Sequence, residues 1–208
     1  CSISDPNCSL PSDVFKIRKI ETTHGGLEQN YNQDVYLCSC VQPIFNNAVD
    51  GETIDYLEDV GDIRIESAGS SINGSWESRG NIVVFKHNDL FAENTDYQTF
   101  FPKAIINTQS KTLQACLAAG GCTEAGSYFI WNFTTGTTVD DIPPEIVSTY
   151  PLFNTSDDDY PNRNVSRRPS LEVSFSEAID ITTVMDENNH PLSNIWIAEI
   201  DGLEAVSY

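Results

Sequence analysis

The chain has 208 residues, enough for one large or two modest domains, and its 39% hydrophobic content is sufficient to bury a core. Eleven Lys and Arg stand against 31 Asp and Glu, a formal net charge of −20 that repels phosphate backbones and excludes nucleic acid as a partner. No apolar run approaches the roughly 20 residues that cross a bilayer, and no signal-peptide pattern is present.

Residues 1–13, rich in Ser, Asp and Pro, read as an irregular lead. Strand-like runs follow at Val14–Ile20, Val35–Val41, Ile63–Glu66, Asn81–Lys86, Tyr97–Phe101 and Tyr128–Phe133. Clusters of Gly, Asn, Asp and Ser separate them, which is the punctuation of an all-β sandwich. Thr53–Val60 and Thr112–Ala119 each have room for a turn or two of helix, too little for a scaffold. The first sandwich is therefore expected over 14–136. A short polar stretch, 137–144, ends in Pro143-Pro144 and reads as a semi-rigid linker. Strands resume over 145–208, at Glu145–Thr149, Leu171–Phe175 and Asn194–Glu199.

The two parts repeat each other. Ile20-Glu21-Thr22-Thr23 matches Val147-Ser148-Thr149-Tyr150 as the end of an opening strand. Val35–Ile44 followed by Ala48-Val49-Asp50 matches Leu171–Phe175 followed by Ala178-Ile179-Asp180. Relative to the first copy, the second stops at Tyr208 before its hairpin and closing strand. It is expected to be the opening of a longer domain, or to take strands from another chain.

Six cysteines, an even number in an acidic and loop-rich chain, point to an oxidising compartment. Cys116 and Cys122 flank a small Gly-containing loop and are expected to pair. Cys38 and Cys40, two apart in a strand-like run, point to one face and are not expected to bond each other. Cys1 and Cys8 are the partners expected for them, in an order the spacing leaves open. A chain starting at Cys1 is also the pattern of a lipid-bearing N-terminus, which would be its single route to a membrane.

Several motifs then point to a family. Leu171-Glu-Val-Ser-Phe-Ser-Glu-Ala-Ile-Asp180 resembles the Phe-Ser-Glu strand of bacterial Ig-like domains of S-layer and other surface proteins. Pro143-Pro144-Glu-Ile-Val-Ser-Thr-Tyr-Pro151 is similar to the opening of the same domain. Ile82-Val-Val-Phe85, with Leu90 and Asn94-Thr95-Asp96-Tyr97, resembles its central hairpin, and Trp131-Asn-Phe-Thr-Thr-Gly136 its closing strand. The first copy departs at its second strand, where Cys-Ser-Cys-Val-Gln-Pro stands in place of Phe-Ser-Glu-Pro. The resemblance implies an Ig-like β-sandwich, one complete domain plus the start of a second.

Carboxylates are the main candidate ligands. Asp140 and Asp141 at the linker, with Asp157, Asp158 and Asp159 in a loop, have the oxygen-rich character that calcium requires. No EF-hand spacing is present, and calcium is the one cofactor these loops point to. The six acidic residues from Asp50 to Asp62 are dense, yet adjacency alone does not make a glycosidase pair. No nucleophile elbow and no zinc-protease helix appears, so no catalytic residue is assigned. Among the tryptophans, Trp131 and Trp196 read as core. Trp76, in a turn-like Asn-Gly-Ser-Trp-Glu setting, reads as the contact for a ligand. The expected role is non-enzymatic: a structural or spacer protein of the cell surface or an extracellular assembly, its partners other subunits or surface components. The alternatives are a filament subunit that assembles by strand addition, and a module recognising carbohydrate or protein.

Overall fold

The computed structural model describes residues 14–22, 32–118, 121–150, 170–186, 190, 192, 198–201 and 204–207. In chain order its elements begin with β1 (Lys16–Thr22), β2 (Val41–Phe45), α1 (Gly51–Asp59), β3 (Arg64–Ser67), β4 (Ser70–Ser71), β5 (Gly74–Arg79) and β6 (Ile82–His87). They continue with β7 (Asp96–Pro102), β8 (Ala115–Cys116), β9 (Cys122–Ala125) and β10 (Tyr128–Thr134). After the prolines come β11 (Ile146–Tyr150), β12 (Glu172–Phe175), a 3-10 turn at Ile181–Thr183, β13 (Ala198–Asp201) and β14 (Glu204–Ser207).

The fold is an all-β sandwich. One five-stranded sheet has the order β5-β6-β2-β1-β8, the other β4-β3-β7-β10-β9. Period-two alternation explains why these segments pair face to face. In β10, Phe129, Trp131 and Phe133 are buried while Asn132 is exposed; in β7, Tyr97, Thr99 and Phe101 are buried while Asp96 and Gln98 are exposed. From the first sheet Ile17, Ile20, Val41, Phe45, Val83 and Phe85 meet them in one apolar cluster. Ile17 and Ile20 are three apart yet both point inward, because a bulge between Ile17 and Lys19 shifts the alternation by one residue.

The one α-helix among the described residues follows from its ends. The Asp50 carboxylate accepts from the Thr53 N–H, Ile54 and Leu57 share the buried face, and Gly61, at φ +72°, turns the chain out of the helix. The helix lies against β5, and its Ile54 and Leu57 join the apolar core.

Several expectations are corrected. Val35–Val41 is not a strand: Val35 makes a lone parallel bridge to Thr135, a turn follows, and pairing begins at Val41. Of the expected helix Thr112–Ala119, the described residues 112–118 are not helical, because Gln114 and Leu117 donate their N–H groups to the carbonyls of Phe15 and Ile17, and β8 runs parallel to β1. β6 and β7 are not a hairpin, since they belong to opposite sheets. Trp76 sits in β5 rather than in a turn.

The hairpin after the prolines repeats the first one. Ile17 and Lys19 face Phe45 and Ile44 across a bulge; Ile146 and Ser148 face Phe175 and Ser174 across a bulge at the same place. Five residues past each phenylalanine an aspartate caps the next turn, Asp50 for α1 and Asp180 for the 3-10 turn, where its carboxylate accepts from Thr182 N–H at 2.9 Å. β13 and β14 then pair Asp201 with Glu204, as β3 and β4 pair Ser67 with Ser70. Ile17 and Ile146 thus hold like positions in the two hairpins, an offset two residues away from the match read from sequence.

Candidate functional site

The outer face of the second sheet carries a shallow groove of about 430 Å³. Alternation in β7 and β10 turns Gln98 and Asn132 outward. The Thr134 N–H, donating to the Asn32 carbonyl at 2.8 Å, brings Asn32 and Gln33, which lie between β1 and β2, beside them. Gln98 Nε2 donates to Asn132 Oδ1 at 3.1 Å, and the Thr134 hydroxyl donates to the Asp96 carboxylate at 2.6 Å. Four amides supply both donors and acceptors, a lining suited to hydrogen-bonding a hydroxyl-rich ligand. Among the described residues, Asp96 is the only carboxylate of the lining, which holds no His or Cys. Sequence reasoning missed this groove, because exposed Gln and Asn on a strand look like any solvated face.

The residues singled out by sequence do not converge. Trp76 is only 3% exposed and packs on Phe85, with ring centroids 4.9 Å apart, and edge-on against Phe101. Its ring is therefore part of the core and unavailable to a ligand, which corrects the expectation. Trp131 is fully buried beside Phe133. Asp140 uses a carboxylate oxygen to accept from Ile142 N–H at 3.0 Å, bracing the linker, while Asp141 is exposed beside it. Asp157, Asp158, Asp159, Trp196, Cys1 and Cys8 lie outside the described residues. Among the described residues no three His, Cys, Asp or Glu side chains gather into a ligating cluster. The structure holds a Cys116–Cys122 disulfide, which ties β8 at the edge of one sheet to β9 at the edge of the other. Cys38 is a half-buried thiol 3.6 Å from the Asp140 carbonyl.

The carboxylates from Asp50 to Asp62 have structural uses. Asp50 caps α1, Asp62 accepts from the Tyr128 hydroxyl at 3.0 Å, and Glu58 accepts from the Trp76 backbone N–H at 3.2 Å. Burial raises the Glu58 pKa above the ordinary glutamate range, with Asp55, Asp59 and Glu77 adding like charge, while the Trp76 N–H opposes the rise. A raised folded pKa means the carboxylic acid form is favoured by folding. The stability it contributes is full below the ordinary glutamate value and is lost as pH rises through the folded value. Glu58→Gln keeps an acceptor for Trp76 and removes the charge. It is expected to raise Tm by about 1–2 °C at pH 7 and to leave it unchanged at pH 3. Thermal melts at the two pH values check this.

No protein-family model matches the chain, and no curated protein matches it. Among solved structures, the N-terminal part of the bacterial S-layer protein SbsC is similar at 13% identity, over 64% of this chain and 26% of that one, with TM-score 0.36. Domains 1–6 of the surface layer protein SbsC are similar at 13% identity, over 66% of this chain and 17% of that one, with TM-score 0.39. The chain thus spans about a quarter or less of the length of these structures. Superpositions this loose do not establish a common fold. Among the described residues, no helix is long and apolar enough to cross a membrane.

Proposed function

We propose that the chain is a non-enzymatic structural module of the cell surface or of an extracellular assembly. On this reading 14–136 is one Ig-like sandwich, 137–144 a linker, and 145–208 the opening of a second sandwich. The Cys116–Cys122 disulfide is the observation that carries the compartment, because such bridges persist where thiols are not kept reduced. The shared bulge and the paired aspartate caps support the tandem arrangement. The acidic chain keeps such an assembly soluble through self-repulsion.

The bridge closes a short loop, with a sequence separation of 6, so its loss is expected to cost about 2 kcal/mol through a freer unfolded chain. The experiment joins stability to location. Intact source cells are labelled with a membrane-impermeant amine reagent, and the labelled protein is mapped without reduction. Labelling together with an oxidised Cys116–Cys122 pair is expected. An unlabelled protein with both thiols reduced would overturn the reading.

A further inference from the structure

The outer face of the first sheet is not open. Along β6, Val83 and Phe85 point into the core, which places Val84 on the opposite row. Val84 is nonetheless fully buried, and it stands outside the apolar cluster formed by the sandwich interior. Its neighbour Gln42, from the outward row of β2, is only 3% exposed. A buried valine and a buried amide on an outer face require a cover.

The cover is the stretch that follows β12. The Gln42 side-chain amide donates to the carbonyl of Ile179 at 3.0 Å, and Arg79 Nε donates to the carbonyl of Met185 at 3.3 Å. Between these ties the 3-10 turn Ile181–Thr183 lies against β5 and β6. Lys86 bridges Glu77 at 3.3 Å and Asp180 at 3.6 Å. Asp180 is the residue that caps the turn, so one carboxylate both starts the turn and engages the sheet. The start of the linker is tied as well: Leu37 N–H donates to the Thr138 carbonyl at 3.0 Å, and the Cys38 thiol lies against the Asp140 carbonyl. The chain leaves the sandwich at one fastened point, forms the β11–β12 hairpin, and returns to a second.

We infer that the outer face of β5-β6-β2 is a docking seat for Ala178–Met185, locking the hairpin of the second copy to the first sandwich as one stiff unit. Two fastenings on either side of Pro143-Pro144 remove the hinge that a polar linker alone would leave. The apolar centre at Val84 supplies most of the attraction, since half-buried ion pairs at the rim of a surface contribute little. The Gln42, Arg79 and Lys86 ties fix the register. The carbonyls of Ile179 and Met185 are held by side chains, so the seat selects a backbone path, while Lys86 selects an acidic cap. The inference deepens the spacer reading by giving it a rigid joint. Its test is physical and stands whether or not the protein resides at a cell surface.

Val84→Lys places a charge under the docked segment while the core-facing row of β6 stays unchanged. It is expected to release Ala178–Met185. Hydrogen exchange of the Thr183, Val184 and Met185 amides should quicken at least about tenfold, with a larger maximum dimension in solution scattering. Near-ultraviolet circular dichroism from the buried tryptophans should be unchanged. Gln42→Ala and Lys86→Glu are milder. The first removes the bond to Ile179, the second sets like charge against Glu77 and Asp180, and each is expected to quicken the same amides about two- to fivefold. Unchanged exchange and scattering in folded Val84→Lys overturn the seat. If that variant unfolds the sandwich, unchanged exchange in both milder variants overturns it instead.

Discussion

Trp76→Ala is expected to lower stability by about 3–5 kcal/mol, as truncation of a buried aromatic does. In a chain of this length that is a fall in Tm of about 6–20 °C. The indole fills the space between the two sheets, touching Phe85 from its own sheet and Phe101 from the other. Alanine would leave a cavity that neither rigid ring can relax into, because both are themselves fully buried. The loss also loosens β5, the edge strand that packs on α1 and forms part of the docking seat. Thermal or urea unfolding followed by circular dichroism measures it. A Tm within 2 °C of the parent, on the scale of about 2–4 °C per kcal/mol, would mean that Trp76 is not a core residue.

The second large effect is expected two residues earlier. A Cβ on Gly74 would be driven into the carbonyl oxygen of Lys86 and come 2.5 Å from the Phe85 ring carbon Cζ. The first obstacle is backbone inside the β5–β6 ladder, where Gly74 pairs with His87, and it cannot swing aside as a long side chain would. Gly74→Ala is therefore expected to cost about 3 kcal/mol, at the upper end of overpacking effects. Its Asn73 neighbour is exposed, so Asn73→Ala serves as the control and is expected to stay within about 0.5 kcal/mol of the parent. A melt of Gly74→Ala that matches the control would show that β5 and β6 do not approach this closely.

The two predictions fall on a strand that the sequence does not advertise. β5 reads Gly-Ser-Trp-Glu-Ser-Arg, with one large apolar residue among turn formers, and its strand character comes from pairing with β6. β6, β7 and β10 behave differently. Alternation in β7 and β10, and the continuous β-branched and aromatic run of β6, locate these strands to within a residue or so. Local pattern was misleading where neighbours decide. Thr112–Ala119 contains helix formers, yet Leu113, Gln114 and Leu117 donate to Ile105, Phe15 and Ile17 rather than within a helix, and Val35–Val41 is apolar enough for a strand that begins only at Val41.

The repeat shows the same division. Similar residues around Ala48-Val49-Asp50 and Ala178-Ile179-Asp180 are visible in the chain, and both aspartates cap a turn because a carboxylate satisfies otherwise unpaired N–H groups. The correct offset between the opening strands was hidden. It depends on a bulge after Ile17 and another after Ile146, and a bulge changes register without changing composition.

The sequence by itself determined the all-β class, the acidic surface and the cysteine pair around the Gly-containing loop, because alternation, charge and short-range spacing are local properties. Tertiary structure alone decided that Trp76 is core, that polar Gln98 and Asn132 line a groove, and that Val84 is buried on an outer face where Gln42 reaches Ile179. Each of these depends on which surface of another segment, tens of residues away, comes to cover the side chain or leaves it in water.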